Sequence, residues 1–100
     1  MKTIKINRKL IEPHEILYLE SEGNYTIFHL VNNRKLISSF TLQIFEKYLR
    51  EYNFFRINRS HVVNFSEVEI LNSGNNQISV LLKNGLSFLV SRRRRRLFNN

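Results

Sequence analysis

The sequence predicts a mostly β domain with about eight to ten short strands, one short helix and a short helical turn at the C-terminus. Three observations support this prediction. Aromatic and β-branched residues are concentrated in short segments, of which "YTIFHLV" (25–31) is the densest. Gly and Asn residues separate these segments where the chain can reverse. A single segment, at about residues 42–51, has the apolar spacing of an amphipathic helix.

The first half of the chain is predicted to form strands joined by tight reversals. The opening "IKI" (4–6) alternates apolar and charged residues, and "EILYL" (15–19) is apolar and rich in β-forming residues. Reversals are expected at Gly23-Asn24 and at Asn32-Asn33, because these residue types tolerate positive φ. The simplest arrangement of residues 15–38 is therefore a three-stranded meander.

The predicted helix follows this meander. Thr41 can cap its free backbone N–H groups. Its apolar face consists of Leu42, Phe45, Leu49 and Tyr52. This spacing places one side of the helix against the domain and leaves the other side in solvent.

Strand character returns in the second half, at residues 67–71, 77–83 and 86–90. Asn84-Gly85 is the strongest turn signal in the chain and predicts a two-residue type I′ hairpin. Ser91 can then cap a short terminal helical turn through residues 92–98.

The composition fits one compact domain, residues 1–100, with a single core, because 42% of the residues are hydrophobic and 24% are charged. The chain has no Cys, which excludes disulfides and thiolate metal sites and agrees with a cytoplasmic location. His14, His29 and His61 lack the spacing of metal ligands, so neither a metal nor another cofactor is expected. No segment approaches the roughly 18 apolar residues that cross a membrane.

The charge balance predicts a polyanionic partner. Sixteen Lys and Arg stand against eight Glu and no Asp, giving a formal charge of +8 and a pI near 10.3. Five of these charges lie in the run 92–96, but basic residues also occur in several other segments. A solvated tail is the ordinary explanation of such a run. Its position directly after a strand favours a fixed Arg92 that reaches a base edge, with the following arginines on phosphates.

The segment "FFRINRSHVVN" (54–64) places strongly polar side chains inside an apolar frame. If its apolar residues pack inward, the exposed bend consists of Asn58, Arg59, Ser60 and His61. Asn and Arg match the edges of adenine and guanine, whereas Ser and His can hold phosphates. The alternative is that Arg59 pairs with Glu67 or Glu69 while Asn58 caps a turn, and the segment by itself slightly favours that alternative.

Catalysis is not expected. Ser60 and His61 are adjacent, so on a strand they point to opposite faces, and neither a G-x-S-x-G elbow nor a partnering acid is evident. A metal-dependent nuclease using His61 and Asn64 would need clustered carboxylates, but the Glu residues are scattered.

Four blocks follow one another along nearly the whole chain. They are "EILYLESEGNYTIFHL", "TLQIFEKYL", "FFRINRSHVVNFSEV" and "LLKNGLSFLVSRRRRRLF". These blocks resemble, in order, the opening strand pair, the single helix, the most characteristic segment and the closing hairpin with its basic element in the LytTR-type DNA-binding domain of bacterial transcriptional regulators. The resemblance implies an elongated all-β arrangement of small antiparallel sheets. It also implies that loops and the terminal basic element, instead of a recognition helix, contact successive major grooves.

The resemblance also supplies expectations for individual residues. Base-reading side chains in that family come from the loop after the first strand, from the "RS" segment and from the start of the terminal element. We therefore expect base contacts from Asn24, Tyr25, Asn58, Arg59 and Arg92. We expect backbone contacts from Lys35, Arg56, Ser60, His61, Arg93, Arg94, Arg95 and Arg96. Family members commonly carry His in place of Asn58 and an aromatic residue in place of His61, so base preference should differ at this bend.

The expected partner is duplex DNA with repeated half-sites, bound by two copies of the chain, in transcriptional regulation. The sequence does not identify the sensor or kinase that such regulators usually have. Two other classes fit the composition. One is a module for single-stranded nucleic acid or RNA that stacks bases on Tyr25, Phe28 or Tyr18. The other is a protein-interaction module whose basic tail binds acidic partners.

Overall fold

The computed structural model describes residues 3–74 and 76–98, except for the side chain of Ile70. Within these residues the chain forms ten β-strands and one α-helix, joined by tight turns and short 3-10 helices. The strands are β1 (Ile4–Ile6), β2 (Lys9–Ile11), β3 (Ile16–Glu22), β4 (Tyr25–Leu30), β5 (Lys35–Ser38), β6 (Phe54–Asn58), β7 (His61–Asn64), β8 (Val68–Gly74), β9 (Gln77–Leu82) and β10 (Ser87–Val90). The helix α1 spans Leu42–Tyr48. The predicted mostly β class is confirmed.

Three antiparallel sheets organise these strands. The largest has the order β5-β4-β3-β7-β6, and the meander predicted for residues 15–38 forms its first three strands. A second sheet has the order β10-β9-β8, and β1 pairs with β2. The described residues extend 43 Å along the longest axis and 25 and 23 Å along the other two. The arrangement is therefore elongated, as the resemblance implied.

Two apolar clusters lie on opposite faces of the five-stranded sheet, so the expectation of a single core was wrong. On one face, α1 and the β1–β2 pair cover a cluster that includes Leu19 and Phe45. On the other face, the three-stranded sheet covers a cluster that includes Tyr18 and Val80. The cause is the twofold period of a strand, which points the adjacent Tyr18 and Leu19 to opposite sides.

The helix is shorter than predicted. The α-helical part ends at Tyr48, a 3-10 helix follows at Arg50–Tyr52, and Asn53 then takes a left-handed φ of 70°. Asn is one of the few residue types that adopt this conformation readily, and it ends the helical path. Among the described residues, no helix is long and apolar enough to cross a membrane.

Thr41 and Ser91 occupy the predicted N-cap positions, but neither side chain forms a capping hydrogen bond. Their backbone carbonyls receive the first bonds instead, from the N–H of Ile44 at 3.2 Å and from the N–H of Arg94 at 3.0 Å. The predicted helical turn at the C-terminus is present as a 3-10 helix at Arg92–Leu97.

The reversals lie where the sequence predicts them, with one difference in type. Gly23 has a φ of 60°, and Asn32 and Asn33 have φ values of 63° and 59°. In the pair Asn84-Gly85 only Gly85 has positive φ, at 96°. A type I′ turn needs positive φ at both residues. The hairpin instead closes through Leu82 N–H to Leu86 O at 2.8 Å around a three-residue loop, so the two-residue assignment was wrong.

Candidate nucleic-acid interface

The β3–β4 turn and the bend between β6 and β7 lie at the same end of the five-stranded sheet. His61 pairs with Glu20 in the strand register, and the backbone N–H of Ser21 donates to Ser60 O at 2.9 Å. Asn24 and Arg59 are exposed, and Tyr25 is 55% exposed. The first two predicted base-reading segments therefore share one edge of the molecule.

The terminal element reaches the same end. Ser91 N–H donates to Ile57 O at 2.9 Å, so the chain enters the 3-10 helix directly beside the bend. Arg92 is the first residue of that helix and is exposed. We call this region, residues 23–25, 58–61 and 91–97, the loop end.

Asn58 holds the bend together through its side chain. Its Nδ2 donates to Leu89 O at 2.9 Å, and its Oδ1 accepts the backbone N–H of Ser60 at 2.9 Å. The Nδ1 atom of His61 lies 3.0 Å from the same oxygen. Because an amide oxygen only accepts, Nδ1 of His61 carries the proton in this contact. The capped turn that the sequence left open as an alternative is thus present.

The other half of that alternative is absent from the described residues, where Arg59 forms no ion pair with Glu67 or Glu69. Arg56 braces the bend from behind instead. Its guanidinium donates to Arg59 O at 2.6 Å and to Asn58 O at 3.4 Å. The Arg59 side chain therefore projects from a backbone that is fixed on its inner side.

A basic cleft of about 590 Å³ lies where α1, the bend and the terminal element meet. Its lining consists of Gln43, Arg56, Arg59, Ser91, Arg93 and Arg94. Four of these six side chains are guanidinium groups, which bind phosphate and guanine edges in bidentate geometry. The cleft is suited to an anionic partner.

One carboxylate, Glu46 on α1, lies behind this cleft and was missed in the sequence. Its Oε2 accepts from Arg94 at 2.7 Å, its Oε1 accepts from Arg56 at 3.2 Å, and Arg50 lies 3.7 Å away. Glu46 is only 14% exposed. Burial disfavours its charged form, but the hydrogen bonds from Arg94 and Arg56 hold the pKa of Glu46 below its ordinary value. The available signal was its place one turn after Leu42, at the margin of the apolar helix face.

The terminal arginines differ in their surroundings. Arg92, Arg93 and Arg96 are exposed, whereas Arg94 and Arg95 are partly buried. Phe98 stacks on Phe65 with ring centroids 5.7 Å apart, which ties the end of the 3-10 helix to the body. The run is therefore an ordered element with outward and inward positions.

His61 packs in an aromatic environment next to the bend. Its ring centroid lies 4.6 Å from that of Phe88 and 6.0 Å from that of Tyr18. Burial lowers the pKa of His61, and His29 lowers it further while Glu20 opposes the shift. The imidazole is thus neutral at pH 7, and its role at the loop end does not depend on a positive charge.

Lys35 is not brought together with the other predicted residues. Lys35 on β5 pairs with His29 on β4 in the strand register. Tyr25 begins β4, four residues before His29. At about 3.3 Å per residue, this separation is roughly 13 Å along the sheet. Lys35 lines a second cleft of about 460 Å³ at the opposite end from the β3–β4 turn, together with Asn33 and Arg34.

The fold and the loop end together place the protein among all-β domains whose loops carry exposed arginines, a surface suited to a polyanionic partner. The described residues contain no cluster of three or more His, Asp or Glu that could hold a metal ion. The family model of the LytTr DNA-binding domain matches residues 7–100. The chain belongs to this family, and DNA binding in transcription regulation follows from that membership.

A solved structure shows the same fold. It is described as the LytTr DNA-binding domain of a methyl-accepting/DNA response regulator from Bacillus cereus. The alignment covers 100% of this chain and 99% of that one, with a TM-score of 0.81 and 19% sequence identity. A search of curated protein sequences found no significant match.

Proposed function

We propose that the chain binds duplex DNA sequence-specifically as a transcriptional regulator, with its loops and terminal element in successive major grooves. The observation that carries this proposal is the joining of two exposed arginines, Arg59 and Arg92, on one braced scaffold. Backbone bonds and the Asn58 amide connect the segments that bear them. Two arginines at a fixed separation can each take a guanine edge in bidentate geometry.

The base contacts in this proposal come from three segments. Arg59 and Arg92 read guanine edges, and the exposed Asn24 and Tyr25 approach a neighbouring part of the duplex. Asn58 was expected to join them, but its amide is already bonded on both sides. In the proposal Asn58 therefore shapes the bend that presents Arg59.

The backbone contacts come mainly from Ser60, Arg93, Arg95 and Arg96. These groups orient the domain without reading sequence. The roles first expected for Arg56, Arg94, His61 and Lys35 stay predictions, and the geometry supports a revision. Arg56 and Arg94 are bonded to Glu46, His61 is neutral and bonded to Asn58, and Lys35 lies away from the loop end.

Two copies on repeated half-sites complete the proposal, as the resemblance to regulators of this type implies. Control by a sensor or kinase and action in the cytoplasm belong to the same proposal. The family membership supports a nucleic acid as partner in preference to an acidic protein, and the exposed Arg59 and Arg93 in the cleft supply guanidinium groups for it.

Binding of single strands by stacking has less support. Of the three aromatic residues considered as platforms, Tyr18 is 9% exposed and Phe28 is 0% exposed, which leaves Tyr25. Stacking on several successive bases needs several accessible rings. Competition between duplex and single strands of one sequence separates the two modes.

Selection from a random duplex library tests the proposed function. The expected result is enrichment of a short motif that occurs twice at a fixed spacing, with guanines inside it. Recovery of duplexes without any shared motif would refute sequence-specific recognition. Recovery of a single unrepeated motif would retain recognition and remove the two-copy part of the proposal.

A further inference from the structure

We propose that Glu46 is a positioning residue, which withdraws Arg56 and Arg94 from DNA and so fixes the placement of Arg59 relative to Arg92. This inference deepens the proposed function and rests on it. Glu46 itself touches no DNA in this account. It acts through the two arginines that its carboxylate holds.

Arg56 and Arg94 share the carboxylate of Glu46. The two oxygens of Glu46 each accept one guanidinium, Arg56 through Oε1 at 3.2 Å and Arg94 through Oε2 at 2.7 Å. Charge-assisted bonds of this kind are stronger than neutral ones. The three side chains are between 14% and 29% exposed, so solvent screens them less than an ordinary surface pair.

Arg56 connects Glu46 to the bend. Arg56 uses its other donors on the backbone carbonyls of Asn58 and Arg59, at 3.4 and 2.6 Å. The carboxylate on α1 is therefore connected through one side chain to the backbone of Arg59. Loss of the carboxylate frees the Arg56 guanidinium to turn outward, and the bend then loses its inner brace.

Arg94 connects Glu46 to the terminal element. Arg94 lies two residues after Arg92 in the same 3-10 helix, Arg92–Leu97. The bond from Arg94 to Glu46 holds the inner side of this helix against α1. One carboxylate thus sets the position of both segments that carry the proposed base-reading arginines.

The negative charge of Glu46 distinguishes a positioning role of Arg56 and Arg94 from simple phosphate binding by these two arginines. A carboxylate between two arginines repels a phosphate backbone and lowers the local positive potential. If Arg56 and Arg94 served only to neutralise phosphates, Glu46 would weaken binding. Under the positioning role, removal of Glu46 should leave binding to random DNA at least as tight, because a repelling charge is lost, and should weaken selection of the correct site, because Arg59 and Arg92 lose their placement.

Arg93 and Arg94 are adjacent and of the same residue type, which allows a matched comparison. Of these two, Arg94 bonds Glu46, and no described contact joins Arg93 to it. Affinities of the full chain for the selected duplex and for a random duplex are measured over a series of salt concentrations. We expect Arg93→Ala to flatten the slope of log K against log salt by about 0.9 and to weaken both duplexes similarly. We expect Arg94→Ala to change the slope by less than about 0.3 and to lower the selected-to-random ratio about tenfold, because a misplaced arginine forfeits much of its discrimination.

Equal slopes for Arg93→Ala and Arg94→Ala, with the ratio unchanged in both, would overturn the inference.

A second comparison uses Glu46→Gln, with Glu69→Gln as its control. Glu69 is exposed and lies beside Val68, which pairs with Leu82 at the end of β9 remote from Ser91. Glu46→Gln is expected to bind random DNA at least as tightly as the wild type and to lose about tenfold in the ratio. Glu69→Gln should keep the wild-type ratio, and the same ratio in both variants would contradict the role of Glu46.

Thermal unfolding of each variant shows whether it is folded at the temperature of the binding measurement. Failure of the proposed function and failure of the inference about Glu46 give different results. A wild-type chain with equal affinity for selected and random duplexes refutes sequence-specific recognition, whatever the variants do. The salt slopes on random DNA still test whether Glu46 withdraws Arg94, because that comparison needs no preferred site.

Discussion

The side-chain amide of Asn58 donates to the backbone carbonyl of Leu89 at 2.9 Å and joins the β6–β7 bend to strand β10, thirty-one residues later in the chain. Two residues beyond Leu89, Ser91 N–H returns to Ile57 O at 2.9 Å. These two bonds cross between the five-stranded and three-stranded sheets at one point. The bend and the terminal helix are therefore joined into one unit.

Asn58→Ala removes this connection. The substitution leaves Leu89 O and Ser60 N–H without their bonds, and we expect a loss of about 0.5–1.5 kcal/mol in the free energy of unfolding, because water reaches these partly exposed groups. Chemical denaturation measures it, with Asn72→Ala on the exposed part of β8 as the control. A decrease no larger than that of Asn72→Ala would show that the amide bonds do not hold the bend.

Stability is expected to decrease as the pH falls below about 6.5, in the window set by His61. Burial keeps the folded-state pKa of His61 below its unfolded value, so the unfolded chain binds the proton first. The stabilisation is complete above the unfolded pKa and is lost as the pH falls toward the folded one. Denaturation midpoints between about pH 5 and 7 measure this slope, and His61→Phe should flatten it. An unchanged slope in His61→Phe would assign the pH dependence to another group.

The strands were predictable because the alternation of apolar residues is local information. Residues 15–38 form the predicted meander, and the reversals fall at the Gly and Asn positions. The exact hairpin type at Asn84-Gly85 was not predictable from the dipeptide, since flanking strand register decides how many residues the loop contains.

The loop end was only partly predictable. The sequence indicated which segments carry suitable side chains, and the fold brings 23–25, 58–61 and 91–97 to one end. Which arginines face outward depends on tertiary contacts. Arg56 and Arg94 both bond Glu46 although the three residues lie on β6, the terminal 3-10 helix and α1, and no local pattern encodes that meeting. Lys35 lies elsewhere because it begins β5, which runs antiparallel to β4, and it therefore pairs with His29 near the end of β4 remote from Tyr25.

Asn64, which belongs to the same segment as the bend, has a structural role that the sequence did not reveal. It is 2% exposed, its Nδ2 donates to Ile16 O at 2.8 Å and to Pro13 O at 3.2 Å, and its Oδ1 accepts Ser66 N–H at 3.0 Å. Asn64→Ala should destabilise the chain by about 2–3 kcal/mol, because buried backbone groups lose their partners. Thermal or urea unfolding tests this, with exposed Gln77→Ala as the control. A loss below about 0.5 kcal/mol, the range of ordinary surface changes, would contradict it.

The affinity for duplex DNA should depend steeply on salt. If Arg93, Arg95 and Arg96 each neutralise about one phosphate in both copies of the proposed complex, the slope of log K against log salt lies near −5 to −6. Anisotropy titrations over a range of salt concentrations provide the slope. A nearly flat dependence would exclude binding through the exposed arginines.

The ratio of affinities for the selected and random duplexes, measured for Arg59→Ala, shows whether Arg59 reads a base of the DNA. Exposed Lys83→Ala, in the turn at the opposite end of β10 from Ser91, is the matched control for loss of one positive charge. We expect Arg59→Ala to cost about 1–3 kcal/mol on the selected duplex, with almost no change on random DNA, because one bidentate contact to guanine is lost. Equal losses on both duplexes would contradict base reading by Arg59 and leave it as a contact to the phosphate backbone.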